Sequence, residues 1–421
     1  MKVLLGPAHE LHVGVHGSLL TSPPDGITYV QSAYVLRLRP DRDAGQAFSP
    51  LHDPAVAEWV RFDAPADAAV VHSSRLPVQT TLPWVVDADS LLTPLQVGRF
   101  FALGAAACGD PLFPGQGSIA RREAAMTARY ASTRCVGILF RTEYARRTFL
   151  DHLAGRGHPP ETVEKLAAKS EVVYPAVPAT APAITRPGSP VRVLYMGRTA
   201  QDKGALVAAE VFARLRTRYR DRVRLTFLGS CPTGLADRLT ASGVELVPVL
   251  PRPAYLAQLR RADIFLSPTT FESFGMGLVE AAAAGLAIVC SAGPGMEHIG
   301  ELFAPGDNAL VVSNAGSVPQ RVTGFASAVS GLLDNEPLLR RLTTNNHALT
   351  SHGKLSVRRR DDRLRAVYAH AAAHRADPAD PADDGRGSPA EGSRRVTDWA
   401  GEVCAWADRY CTARIGGRVI A

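Results

Sequence analysis

Long apolar runs are missing from this 421-residue chain. No uninterrupted stretch approaches the roughly 20 residues that a bilayer span needs, so no membrane-spanning helix is expected. Cysteine is scarce as well. The six present (Cys108, Cys135, Cys231, Cys290, Cys404 and Cys411) are scattered without C-x-x-C spacing. That excludes a disulfide framework or a zinc ribbon and leaves them as small buried hydrophobes in a reducing compartment. The opening MKVLLG has one lysine and too short an apolar run for a signal-peptide core, so a cytoplasmic location is expected. Acidic residues are outnumbered, 40 against 47 Lys and Arg, for a net charge of +7. No recognised nucleic-acid module accompanies that excess, which reflects an Ala/Arg/Gly/Pro-rich composition, and no nucleic acid is expected as a partner. His9, His12 and His16 fall at uneven spacing in a turn-rich segment, a poor metal-ligand set, and no metal is expected.

What is present is an alternation of short apolar strands and amphipathic helices. With 46% hydrophobic and 21% charged residues the composition is that of a globular protein, and the length exceeds what one core holds, so two domains and a tail are expected. In the first half, strands are read at KVLLG, AAVVHSS, LPWVVDAD, CVGILF and SEVVYPAV, with helices across LLTPLQVGRFFALGAAA and RTEYARRTFLDHL. The second half repeats the rhythm, from VRVLYMG through VRLTFLG, VELVPVL, DIFLSPT and LAIVCS to ALVVS. Near-continuous apolar strands alternating with helices imply parallel sheets covered on both faces. The fold class is therefore α/β: two doubly wound, Rossmann-like domains facing a cleft. The expected divisions are 1–177, a Pro/Ala-rich linker at 178–190, a second domain at 191–374, a flexible loop at 375–395 and a C-terminal helix at 396–421 that packs back across.

Ligands of doubly wound sheets bind off the carboxyl ends of the strands. Three strand ends of the second half carry suitable chemistry. In MGRTAQDKG, Gly197 permits a tight turn while Arg198 and Lys203 can converge on one anion, as a diphosphate would require. In SPTTFESFGMGLVE, Ser273 is the expected N-cap of a helix at 274–284, so that the amides around Phe274, Gly275 and Met276 form an anion seat at the positive end of the dipole. Glu280 lies one turn beyond Met276 and leans back toward that seat, where it can accept two ribose hydroxyls. Glu272 precedes the helix and is left for a hydroxyl nearer the cleft. In VLPRPAYL, Val249, Leu250 and Arg252 offer a surface for a flat base, the least specific of the three. The plain alternative for each is a solvated loop charge or an ordinary turn.

Together MGRTAQDKG, ADIFLSPTTFESFGMGLVEAAAAGLAIVCS and GPGMEHI resemble the retaining glycosyltransferases of family 4, with the E-x7-E pattern from Glu272 to Glu280. The resemblance covers residues 190–315. It implies the GT-B fold and metal-independent transfer of a hexose from a nucleotide diphosphate, a UDP-sugar such as UDP-N-acetylglucosamine, with the nucleotide-sugar as co-substrate and no cofactor. By that resemblance Arg198, Lys203 and Glu272 are the catalytic candidates. Gly197, Leu250, Phe274, Gly275, Met276 and Glu280 join them in the donor site, Glu280 on the ribose and Glu272 on the sugar. The N-terminal half departs from the family. The family's histidine segment is replaced by LPWVVDADSLL and its glycine-rich first loop by GPAHELHVGVHG. His12, His16, His72, Asp87 and Asp89 are the acceptor-side candidates, and the compact loops favour a small natural-product intermediate or a carrier-bound acceptor. A nucleotide-sugar 2-epimerase and a non-catalytic sugar-nucleotide-binding partner stay open as alternatives. Residues 121–156 hold eight arginines against three acids; a solvated helix face is favoured there over a membrane surface.

Overall fold

A computed structural model describes residues 1–7, 10–38, 57–88, 116–180, 189–197, 203–374 and 393–396. It divides into two units. One contains the described residues up to Tyr174 together with those from Arg360 onward; the other is Pro175–Arg359.

The first unit is built on strands β1 (Lys2–Gly6), β2 (Thr28–Val30), β3 (Tyr34–Leu38), β4 (Ala57–Phe62), β5 (Val70–Ser73), β6 (Trp84–Ala88), β7 (Cys135–Phe140) and β8 (Ser170–Val172). Six of them form one parallel sheet in the order β2-β1-β5-β6-β7-β8. The reversal of strand order lies between β1 and β5, with Leu5 opposite His72 and Gly6 opposite Ser73. Alternate residues face opposite sides. Leu4, Val71, Trp84, Val86, Ile138 and Phe140 pack with Met126, Tyr130, Phe149 and Leu166 of the helices Gln116–Ala131, Glu143–Gly155 and Pro160–Lys169. Val3, Val70, Val85 and Leu139 face the other way and meet Leu19 of the helix His16–Thr21 and Leu364, Val367, Tyr368 and Ala371 of the helix Val357–Ala373.

That last contact corrects the expected division at 374: from Arg360 the chain already belongs to the first unit. A second correction concerns residues 393–396, assigned on sequence to the end of a flexible loop and the start of a helix. They form a strand, β15 (Ser393–Val396), antiparallel to β3, which pairs antiparallel with β4. The sequence reading also passed over β2, β3, β4 and the helix Gln116–Ala131, and it extended the strand at 170–172 to residue 177. The expected helix at LLTPLQVGRFFALGAAA, most of the linker, residues 375–392 and the expected C-terminal helix lie outside the described residues.

The second unit follows the sequence reading closely. Strands β9 (Val191–Gly197), β10 (Val223–Gly229), β11 (Glu245–Val247), β12 (Ile264–Ser267), β13 (Ala287–Ala292) and β14 (Ala309–Ser313) form a parallel sheet ordered β11-β10-β9-β12-β13-β14. This is the 3-2-1-4-5-6 order of a dinucleotide-binding sheet, and its switch point lies between β9 and β12. Asp263 ties the starts of those two strands, accepting the Arg192 amide at 2.8 Å and both Arg192 Nε and Nη2 at 3.0 Å. At the carboxyl ends the backbones crowd: Gly229 has φ +124°, and any Cβ there would collide with the carbonyl oxygen of Gly197. Gly229→Ala is expected to lower stability by at least about 2 kcal/mol through strain and overpacking, read as a lower midpoint in urea with an unchanged slope.

Candidate active site

The β9 and β12 carboxyl ends place the second unit's site. The loop after β9 returns at Lys203 and Gly204. Gly204 is left-handed (φ +70°), and a Cβ there would strike the Pro268 carbonyl of the loop after β12. The two loops therefore touch. Arg321, buried in the helix Val318–Asp334, donates to that same Pro268 carbonyl. The short loop that follows carries Glu272, whose Oε2 accepts from Lys203 Nζ at 2.6 Å. Burial pushes the Glu272 carboxyl up, but Lys203, with help from His298 and the Ser273 amide, outweighs it and holds the carboxyl below its usual value. His298, buried at the start of a short helix after β13, is shifted down by burial against the pull of Glu272.

The helix after Glu272 spans Met276–Ala283, and its N-cap is Gly275 at φ +98°, not Ser273. A left-handed cap turns the chain sharply, which only glycine does without strain. Leu278 and Val279 donate their amides to the Gly275 carbonyl at 2.9 and 3.2 Å, which leaves the amides of Met276 and Gly277 ahead of the first intrahelical bonds. They open close to the end of β9, since a Cβ on Gly277 would lie 3.1 Å from Met196 Cε. Phe274 sends its ring into the core, so only its backbone is available to a ligand.

Glu280 is a buried carboxylate in an otherwise apolar helix. Buried Glu is rare unless paired, and here Oε1 accepts from Arg252 Nη1 at 2.6 Å and Oε2 from Tyr255 Oη at 2.8 Å. Both donors come from the helix Arg252–Leu259, which follows β11 and the half-buried Leu250. The carboxylate is thus aimed by two fixed donors, and each oxygen keeps a second lone pair. The sequence reading named Arg252 only for a base and missed Tyr255, Arg321 and His298. The Arg252-x-x-Tyr255 spacing on one helix face was the signal available for the pair. Arg198 lies outside the described residues.

In the first unit, four of the acceptor-side candidates converge at the β1, β5 and β6 carboxyl ends. Asp87 Oδ2 lies 2.8 Å from His16 Nε2, and Asp87 Oδ1 lies 2.9 Å from His72 Nε2. The His12 amide donates to His16 Nδ1 at 2.6 Å, while His12 Nδ1 accepts from the Gly14 and Val15 amides at 3.1 and 3.3 Å. Arg141, after β7, and the Glu10–Arg75 pair at 3.3 Å, after β1 and β5, border the same sheet end. His72 Nδ1 lies 2.6 Å from Tyr368 Oη, which in turn lies 3.0 Å from Tyr29 Oη. Arg75, Arg141, Glu10 and Tyr368 had no signal in the local sequence, because long-range topology brings them in. Asp89 and His9 lie outside the described residues. Among the described residues no group of three or more His, Cys, Asp or Glu could hold a metal ion, and no helix is long and apolar enough to cross a membrane.

Burial pushes the Asp87 carboxyl up, yet the two imidazoles, His72 foremost, hold it far below the carboxylate range. Burial lowers His16 below its ordinary value, with Asp87 opposing and Arg141 and His72 assisting.

Residues 190–335 match the family model described as Glycosyl transferases group 1. Glycogen synthase of Mycobacterium tuberculosis (strain CDC 1551 / Oshkosh) is 32% identical over 152 residues, which cover 35% of this chain and 34% of that protein. Alpha-D-kanosaminyltransferase of Streptomyces kanamyceticus is 27% identical over 187 residues, covering 42% and 45%. The chain therefore spans less than half the length of these relatives. Among solved structures, WaaG, a glycosyltransferase involved in lipopolysaccharide biosynthesis, superposes with a TM-score of 0.50 at 15% identity, covering 88% of this chain and 98% of WaaG. Anabaena Alr3699/HepE, in complex with UDP and glucose, gives 0.51 at 13% identity, covering 88% and 100%. The fold is GT-B.

The protonation of the first-unit cluster makes a prediction. His16 stays neutral in the folded chain below the roughly 6.5 at which it would protonate when unfolded, and Asp87 stays ionised where the unfolded chain would bind a proton. Both place extra protons on the unfolded state, so stability falls as pH drops. The thermal midpoint is expected to decline steadily from pH 7 to pH 4.5, and His16→Gln is expected to flatten the portion near pH 6; a midpoint that rises on acidification would contradict this assignment.

Proposed function

We propose that this protein is a glycosyltransferase, moving a hexose from a nucleotide diphosphate donor to an acceptor that offers a hydroxyl, with retained anomeric configuration. The observation that carries the reading is the junction of Lys203, Glu272, the Gly275 cap and the anchored Glu280 at the switch point of the second sheet. It lies inside the segment that matches the group 1 glycosyl transferases. The donor sits there, its diphosphate against Lys203, Arg198 and the amides of Met276 and Gly277. Its ribose lies on Glu280, its base near Leu250 and its sugar near Glu272. The presence of UDP with Alr3699/HepE supports a UDP-sugar.

As the glycosidic bond breaks, charge develops on the leaving diphosphate. Preorganised donors at that point are worth roughly 10²–10³ in rate each. Lys203 is held at the site by Glu272 before the donor arrives, and the incoming phosphate offers it a second anionic partner. Arg252 and Tyr255 fix the rotamer of Glu280, so its two hydroxyl-accepting lone pairs are set in advance. The acceptor hydroxyl passes its proton to the departing phosphate oxygen as the new glycosidic bond forms on the same face, a route supported by the E-x7-E resemblance. The acceptor side is the first unit, where Asp87 is flanked by His16 and His72.

A thermal-shift panel of UDP-, GDP-, ADP- and TDP-sugars is expected to pick out the UDP-sugar. With that donor, Lys203→Ala is expected to lower kcat about 10²-fold, and Glu280→Gln to raise donor KM about tenfold with a smaller change in kcat. Unchanged kinetics in both variants would sink the reading.

A further inference from the structure

The buried chain of hydrogen bonds in the first unit has a direction, and the direction can be worked out. A backbone amide can only donate, so His16 Nδ1, which receives the His12 amide at 2.6 Å, carries no proton. His16 is therefore the neutral Nε2–H tautomer, and it donates to Asp87 Oδ2 at 2.8 Å. The other oxygen of the carboxylate, Asp87 Oδ1, faces His72 Nε2 at 2.9 Å and accepts there as well. A neutral His72 with its proton on Nε2 presents a bare Nδ1 to the Tyr368 hydroxyl at 2.6 Å. Tyr368 then donates to His72, and Tyr29, at 3.0 Å, donates to Tyr368. Protons point inward from both ends, and Asp87 is the sink.

Exposure is concentrated at the same atom group. The side chains of His16 and His72 are 0% and 1% exposed, whereas that of Asp87 is 11% exposed. Of the three, the carboxylate is the one that reaches solvent. Two of its roughly four lone-pair sites are filled by imidazole N–H groups, and the rest are available to a donor from outside.

We propose that Asp87 is the acceptor-binding carboxylate, recognising a neutral hydroxyl, and that Tyr368 is its positioning residue, acting through His72. This rests on the glycosyltransferase reading for its purpose but not for its geometry. Without the Tyr368 hydroxyl, His72 keeps its Nε2–H on Asp87, because that charge-assisted bond is roughly twice as strong as a neutral one, but Nδ1 loses the donor that fixes the ring's orientation. The carboxylate oxygen held by that ring is then set less firmly, and its outward lone pairs lose their fixed direction. The other charged or titratable groups around the chain are Arg141 beside His16, the Glu10–Arg75 ion pair at the same sheet end and, near Tyr29 and Tyr368, Arg360 and Asp361. Arg360 is itself committed, donating to Ser18 Oγ and the Ser22 carbonyl at 2.7 Å and to Asp361 Oδ1 at 2.8 Å. A fixed buried carboxylate repels an anionic ligand group, so the acceptor is uncharged where it touches Asp87.

The test uses the full-length chain with 15N-labelled histidine, His72 being assigned by its loss in His72→Gln. At pH 7.5 the wild type is expected to show His72 as the Nε2–H tautomer. Tyr368→Phe, which keeps the ring packing, is expected to leave that tautomer in place and to move the His72 Nδ1 signal to that of a ring nitrogen accepting no hydrogen bond. Tyr29→Phe should move the Nδ1 signal by less in the same direction, and it carries the test if Tyr368→Phe does not fold. Titration with methyl glucoside is expected to shift the His16 and His72 Nε2–H signals, weakened about tenfold in Tyr368→Phe and abolished in Asp87→Ala, whereas methyl glucuronide should give a markedly weaker response. A His72 Nδ1 signal unaffected by either tyrosine variant overturns the positioning role. Imidazole signals indifferent to the neutral glycoside, or equally responsive to its uronate, overturn the acceptor assignment. Neither readout needs a donor, so failure of the nucleotide-sugar panel would remove the enzymatic reading and leave this one standing or falling separately.

Discussion

A strand that is paired on both edges and covered on both faces has one place for a charged side chain, its end. Both parallel sheets of this protein obey that constraint. In the second unit the ends of β9 and β12 release the loops that carry Lys203 and Glu272, and the helix after β12 holds Glu280. In the first unit β5 and β6 read as buried strands throughout, and their polar residues, His72 and Asp87, come near the ends. Parallel pairing sets all carboxyl ends along one margin of each sheet. Residues far apart in sequence are thereby gathered without any dedicated motif.

Glycine does the fine positioning in the second unit. Gly204 and Gly275 are both left-handed, and each stands beside a residue the chemistry needs, Lys203 and Met276. The loop that leads to Glu272 is held in addition by Arg321, which donates to the Pro268 carbonyl. The carboxylates differ in their partners. Glu272 is held by one flexible lysine, whereas Glu280 is clamped by an arginine and a tyrosine from one helix. The first can exchange its partner as a ligand enters, and the second serves as a fixed fitting.

The second unit was nearly transparent in the sequence because its inner strands β12 and β13 are almost wholly buried and its strands and helices alternate with short connections. The helix Met276–Ala283 was misjudged at its start because Ser273 looks like a cap, while the left-handed turn at Gly275 takes that role. The first unit was harder. β3 (YVLRL) and β4 (AEWVRF) mix arginines into an apolar pattern, as suits an antiparallel sheet, and β15 (SRRV) has almost no apolar content and exists by pairing with β3. His12, His16, His72 and Asp87 could be named as candidates from strand-end position alone. Their joining into one hydrogen-bonded chain could not, because Tyr368 arrives from almost 300 residues further along.

That arrival has a consequence for how the protein is made. One face of the first sheet, with Val3, Val70, Val85 and Leu139, is closed by residues 364–371. Translation at roughly 5–20 residues per second puts on the order of ten to forty seconds between the emergence of β8 and that of its covering helix. During that interval an apolar sheet surface stands open while residues 175–359 of the second unit are being made. The sheet synthesised first therefore waits longest for its cover, and the nascent chain's need for chaperone protection falls on its N-terminal sheet.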